Sequence, residues 1–330
     1  MKRKREKWSS IVIGVILISA VSLVSVWAKT PSPVKFPTKT ITHVEGYAVG
    51  GSNDVIARKI CSIMPKYLPK QVPIVVKNIT GGGGREATLY TSKSKPDGYT
   101  IEQLNIPGML VTQIVLKTKF DLFQFVWLAD TIGDTYVIAV RPDSPYKSLK
   151  DLKNAKKKIR IGNVGRGSTV HLVQTIATAE IGIPAYLIGG YQGMPQVTAA
   201  MLRGEHDVLI RNLSSTLYFF KAGDLKPLAL ISAERSKFLP DTPTVKELGY
   251  PSLANLKMRR PVVAPPGTPK EIADIFQEAL LNTLKDEKLV KWAEESYFEI
   301  TPLTGEKARE MATNVATQLI EKYKELLKKK

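Results

Sequence analysis

Gly46-Tyr47-Ala48-Val49-Gly50-Gly51-Ser52-Asn53-Asp54 is the stretch on which the reading of this chain turns. A β-prone segment, Thr40-Ile41-Thr42-His43-Val44, precedes it, and Ile56, Ile60, Ile63, Met64 and Tyr67 follow at helical spacing. Strand, glycine turn and a Ser/Asn/Asp helix start together make the layout of an anion site. Glycines admit a ligand close to the backbone, and the free N–H groups of a first helical turn point at its negative charge. The same residues also suit an ordinary helix cap, and this stretch alone does not separate the two readings.

The layout recurs downstream. Val72–Val76 reads as a strand running into Asn78 and four glycines, Gly81–Gly84, before a helix near Arg85. No Gly-Lys-Ser/Thr follows, which excludes a P-loop, and leaves either a flexible connection or close backbone approach to a ligand or a moving domain. Tyr99–Leu104 and Tyr136–Val140 read as strands, and Ser148–Leu152 as a capped short helix. Between them Phe120, Phe123, Phe125 and Trp127 sit in a less regular segment read as core. Ile159–Val164 then leads through Gly165-Arg166-Gly167-Ser168-Thr169 into a helix carrying His171, Leu172, Thr175, Ile176 and Ala179. Val170 stands where a dinucleotide fingerprint needs its last glycine. Ala185–Ile188, the turn Gly189–Gly193, a helix through Val197 to Leu202, and strands at His206–Ile210 and Lys226–Ile231 continue the alternation. This predicts an α/β fold with a mainly parallel sheet in each half and ligands at the C-terminal strand ends.

The 330 residues, 43% hydrophobic and 24% charged, suffice for two domains. Net charge is +18; residues 2–7 carry +4 of it, leaving about +14. The charge is scattered apart from Lys156–Lys158 and Lys328–Lys330, and no zinc-finger or RNA-binding pattern accompanies it, so no nucleic-acid partner is expected. A single cysteine, Cys61, excludes an internal disulfide. His43, His171 and His206 lack metal-ligand spacing, and no metal or cofactor is expected. Ser168 and His171 lie one helical turn apart, which admits an exported hydrolase with Ser168 as nucleophile, yet no third orienting group follows. Lys2-Arg3-Lys4-Arg5 before the apolar run Ile11–Ala28 predicts export, residues 1–28 being a cleaved signal peptide or a retained anchor. No cysteine follows for lipidation, and residues 29–35 open a Pro-rich linker.

The ordered motifs carry a resemblance. Gly50-Gly51-Ser52-Asn53-Asp54 with Ala57-Arg58 comes first, then Asn78 with Gly81–Gly84, and Pro96-Asp97-Gly98-Tyr99-Thr100. Gly165-x-Gly167-Ser168 with His171-Leu172, Tyr191-x-Gly193, Gly204-x-x-Asp207-Val208 and Ala222-Gly223-x-Leu225-Lys226-x-Leu228-Ala229 follow. Arg235-Ser236, Leu239-Pro240-Asp241-x-Pro243-Thr244 and Ala264-Pro265-x-Gly267-Thr268-Pro269 complete the series. Each is weak alone; in this order, over about residues 38 to 320, they resemble the solute-binding proteins of tripartite tricarboxylate transporters, the TctC or Bug family.

The resemblance implies a two-domain, periplasmic-binding-protein-like (type II) clam-shell without catalysis. Domain 1 would span 36–133 and 256–330, and domain 2 would span 134–255, with crossover strands near Tyr136–Val140 and Pro261–Ala264. A monomer would capture a small carboxylate outside the cytoplasm for the membrane components of a transporter, or present it to a signalling partner. Ligand contacts implied from the first domain are Tyr47, Ala48, Gly50, Gly51, Ser52, Asn53 and Asp54. From the second they are Gly167, Ser168, Thr169, His171, Tyr191 and Asn212. Val49 replaces a usual proline, His43 and Glu45 replace aliphatic residues, and a buried Glu45 needs a partner. Arg259 stands near a common tryptophan position and Arg211 at an often neutral or acidic one. With Arg166, these either make the cleft more basic or face solvent.

Overall fold

The computed structural model describes residues 35–166, 168–254 and 256–328, all within one compact unit. The export segment and most of the linker lie outside the described residues, as does Gly167. No described helix is long and apolar enough to cross a membrane.

Strand β1 (Ile41–Glu45) is almost wholly buried, as suits a strand covered on both faces. It leads into α1 (Ser52–Ile63), whose Ile56 and Ile60 meet the core. Then come β2 (Ile74–Asn78), α2 (Arg85–Ser92), β3 (Thr100–Gln103), α3 (Gly108–Leu116) and β4 (Val126–Gly133). The second group is β5 (Tyr136–Val140), α4 (Leu149–Lys153), β6 (Ile159–Gly162), α5 (Thr169–Ile181), β7 (Ala185–Ile188), α6 (Met194–Leu202), β8 (Leu209–Asn212), α7 (Leu217–Lys221) and β9 (Lys226–Ile231). The chain then returns through β10 (Pro261–Ala264), α8 (Lys270–Thr283), α9 (Glu287–Glu295), β11 (Glu299–Thr304) and α10 (Gly305–Lys328).

A six-stranded sheet takes the order β11-β4-β10-β3-β1-β2. In it β1 to β4 share one direction, while β10 and β11 oppose them. The second group forms β8-β5-β9 and the parallel pair β6-β7, joined by a parallel bridge between Ile161 and Val208. Here only β5 runs against its neighbours. The expected mainly parallel sheet holds only in part: β1-β2, β1-β3 and β6-β7 pair in parallel, while β10 and β11 in the first lobe and β5 in the second pair antiparallel with their neighbours.

Two extended segments connect the lobes, and Asp134 and Met258 exchange both backbone hydrogen bonds at 3.0 Å where these segments pass. Front and back follow from strand order. The ends of β1, β3 and β8 meet on one side of this crossover, and the end of β9 faces the start of β11 on the other.

The segment read as irregular proved ordered. Met109-Leu110-Val111 are all buried in α3, so that helix shows no polar face and no helical period. In β4 the buried Asp130 and Thr131 break the apolar run that announces an interior strand. The lobes also share apolar contacts. One hydrophobic cluster runs through α3, α5 and α10, and Tyr323 of α10 donates to Glu180 of α5 at 2.6 Å.

Candidate functional site

At the front, Tyr47, Ala48, Gly51, Ser52 and Asn53 from the first lobe face Asn212 from the second across a cavity of about 30 Å³. That is far below the roughly 300–1,000 Å³ of a ligand pocket, so a small-molecule ligand enters only when the lobes part. Gly50 supplies the turn, with φ +77°, and its N–H donates to Asp54 Oδ2 at 3.0 Å. Asp54 also takes Arg58 and Asn78, so its carboxylate braces the loop and lies outside the cavity lining. These bonds hold it below the usual carboxylate range against the opposing effect of burial.

No side chain caps α1, and its first backbone bond runs from Val55 to Gly51 at 3.0 Å. The amides of Ser52, Asn53 and Asp54 thus have no acceptor among the described residues. Together with the helix dipole they make a donor-rich, positive end at the cavity wall.

The second lobe is built differently. Ser168 is buried; its hydroxyl donates to Gly165 O at 2.9 Å and caps α5 by accepting from His171 N at 3.2 Å. No bond joins it to the His171 ring, so the pair lacks a nucleophile–base contact. Burial, with Arg166 adding to it, pushes the half-buried His171 imidazole down to about 4, leaving it neutral. Thr169 is a lobe-to-lobe tie: its hydroxyl donates to Asn105 O and accepts from Gly108 N, both at 3.0 Å. Tyr191 folds back edge-on against His206, with ring centroids 5.5 Å apart. Ser168, Thr169, His171 and Tyr191 therefore stand behind the cavity wall, while Asn212 is in it, donating to Met258 Sδ at 3.4 Å.

The four-glycine turn makes a close approach between lobes. Tyr47 OH donates to Gly83 O at 2.9 Å, and a Cβ on Gly83 would stand 2.7 Å from Ser168 N.

Neither half of the alternative for the arginines describes Arg211 or Arg259. Arg211 lies within β8, buried, bonded to Thr198 Oγ1 at 2.6 Å. Arg259 pairs with Asp130 and donates to Thr301 O, away from the cavity. The residue sequence reasoning missed is its neighbour. Successive strand residues point to opposite faces, so Arg260 turns inward as Arg259 turns away. Arg260 is fully buried, and its Nε donates to Asn53 Oδ1 at 2.7 Å. Its other nitrogens reach Ile132 O and Asp134 Oδ2. The parity of Met258, Arg260 and Val262 was the available signal.

Buried Glu45 has its partner: Gln103 Nε2 donates to it at 3.0 Å. Burial raises its pKa well above the ordinary value, with Arg260 pulling the other way. Burial lowers Arg211 to about 10, so it stays charged at neutral pH. Two guanidiniums thus act on one neighbouring carboxylate, Asp134, while Glu45 is driven toward its neutral form.

A second, larger cavity of about 630 Å³ opens behind the crossover. Thr135, Ile231, Ala233 and Lys257 lie on one wall, and Val290 and Glu299 on the other.

Residues 56–330 match the tripartite tricarboxylate transporter family receptor. The chain is 28% identical to Protein BugT of Bordetella pertussis over 288 residues, 85% of each chain. Its structure is similar to that of the periplasmic binding protein BugD (TM-score 0.81, 24% identity, covering 88% of this chain and 98% of that one). It is also similar to R. palustris Rpa4515 with adipate (TM-score 0.79, 23% identity, covering 89% and 97%).

Proposed function

The chain belongs to the tripartite tricarboxylate transporter receptor family, and from that premise we propose that it captures a small carboxylate outside the cytoplasm and delivers it to a membrane transporter. The observation that carries this reading is the uncapped start of α1 opening on the cavity between the lobes. A carboxylate there would gain charge-assisted hydrogen bonds from the first-turn amides, each worth about 1.5–3 kcal/mol. The adipate held by a structurally similar protein is of the same chemical class.

The lobes would act as domains of residues 36–133 with 256–330, and 134–255, hinged where Asp134 passes Met258. Closing would bring Asn212 over a ligand seated on α1. Within this reading Tyr47, Ala48, Gly51, Ser52, Asn53 and Asn212 touch the ligand. Gly50, Asp54, Ser168 and Thr169 shape the loops around it. The basic start and apolar run of residues 1–28 support export, as does family membership. The hydrolase reading loses its support, because the Ser168 hydroxyl is committed to Gly165 O and to the α5 cap.

The test is calorimetric titration of the exported chain with mono-, di- and tricarboxylates and with their neutral amides. At least one carboxylate is expected to bind without turnover and to raise the melting temperature, as a ligand of the folded state must. Amides binding as tightly as the matching acids would refute the reading.

A further inference from the structure

The orientation of one side-chain amide decides what the first-lobe wall offers a ligand. Asn53 lines the front cavity, and its carboxamide has two chemically opposite ends, an acceptor oxygen and a donor nitrogen. Arg260 Nε lies 2.7 Å from the oxygen. A guanidinium has donors only, so the flipped amide would press NH₂ against N–H in a buried place and leave both unsatisfied. Arg260 cannot swing aside to permit the flip. It is fully buried, with Nη1 on Ile132 O at 3.3 Å and Nη2 on Asp134 Oδ2 at 3.4 Å. Its backbone N–H donates to Asp130 Oδ1 at 3.1 Å. The Asn53 backbone is held as well, because Gln103 Nε2 donates to its main-chain carbonyl at 3.2 Å. The remaining end, Asn53 Nδ2, meets no acceptor among the described residues.

We propose that Arg260 sets the specificity of the cleft: by holding Asn53 Oδ1 it presents Nδ2–H₂ to the ligand, which selects a carboxylate over the matching amide. Arg260 is a positioning residue, acting through Asn53 and touching no ligand itself. The inference rests on the carboxylate reading above and adds to it the reason for discrimination. An acid offers acceptors to Asn53 Nδ2 and to the α1 amides together. An amide ligand can satisfy them only with its one oxygen, and its NH₂ finds donors opposite.

The experiment uses adipate, succinate, malate and citrate as probes, each against its fully amidated analogue, on the wild type, Arg260→Gln, Arg260→Lys and Asn53→Asp. Thermal unfolding is recorded alongside. The wild type should prefer its best acid over the amide by about 100-fold, one to two charge-assisted bonds' worth. Arg260→Gln, which offers Asn53 an acceptor as well as a donor, should bring that ratio to within about tenfold. Arg260→Lys, again donor-only, should restore it. Asn53→Asp keeps the oxygen facing Arg260 but replaces the outward donor with an acceptor. It should melt no lower than the wild type and lose about 100-fold or more in acid affinity. A folded Arg260→Gln with the wild-type ratio would overturn the inference. Should that variant not fold, Asn53→Asp binding acids as the wild type does would overturn it instead. Failure of the carboxylate reading shows in the wild type itself, as no acid binding or no preference over amides, and removes the inference with it.

Discussion

Adding one methyl group at Gly108 should hold the lobes apart. Gly108 belongs to the first lobe, and a Cβ placed on it would lie 2.3 Å from Thr169 Cα and 2.4 Å from Thr169 N of the second. Both contacts are with backbone or at the root of a side chain, so no rotamer change relieves them. Ordinary contact needs about 3.5–4 Å, and the lobes must separate by roughly 1 Å at that point. The same shift breaks the two bonds of the Thr169 hydroxyl, to Asn105 O and Gly108 N. At about 1 kcal/mol each, closure loses about 2 kcal/mol. A ligand that requires closure then binds about 30-fold more weakly, at tenfold per 1.4 kcal/mol. The assay is calorimetry of Gly108→Ala against the wild type with the best acid, joined to small-angle scattering of the liganded forms. Thr169→Val, which removes the same two bonds without the clash, should also lose roughly 30-fold. Wild-type affinity and unchanged compaction in Gly108→Ala would show that this contact has no part in closure.

Two further outcomes follow from buried groups and from the rear cavity. Burial raises the Glu102 pKa to about 8, so the folded state binds a proton that the unfolded state has released, and stability should fall as pH rises from about 4.5 to 8. Denaturation of Glu102→Gln across that range should show a variant steadier than wild type at pH 8, with the gap closing toward pH 4.5. His43 and His171, both held near 4 by burial, oppose this below about 6.5: the stability they contribute is lost as pH falls from there to 4. Ala233→Trp should part-fill the 630 Å³ space behind the crossover, a space that a hinge at Asp134 would narrow as the front opened. It should therefore favour closure and tighten acid binding a few-fold in calorimetry, and weaker binding would count against a hinge at Asp134.

The strands and helices flanking the glycine loops were legible because each carries its own punctuation. β5, β7 and β9 occupy the residues their composition predicts, β10 lies where the resemblance implies a crossover strand, and Ser148 and Ser168 cap the helices they precede. The hidden elements were α3, apolar on every side, and β4, whose buried Asp130 and Thr131 exist for partners distant in sequence. The site divides in the same way. The loop residues that line the front cavity, from Tyr47 to Asn53, stood out through their glycines. Ser168 and Thr169 enter as contacts through the resemblance, and sequence does not tell a free hydroxyl at a helix start from one already bonded, as both are here. Arg260 was overlooked in favour of Arg259, since only the alternation of the extended segment leading into β10 distinguishes two adjacent arginines.

The position of β10 bears on how such a chain assembles. Residues 261–264 fill the place between β3 and β4, at the middle of the six-stranded sheet. That sheet has a gap through its centre until four-fifths of the polypeptide has been delivered. The strands of the second lobe, from residue 136 to 231, are contiguous and complete well before then. A chain made or threaded from its N-terminus therefore finishes its inner lobe first. Meanwhile β3 and β4 wait with open edges, exposed to wrong pairing. Export that holds the polypeptide unfolded until it is whole removes that interval. A route that releases it segment by segment leaves the waiting edge to be shielded by something other than the protein itself.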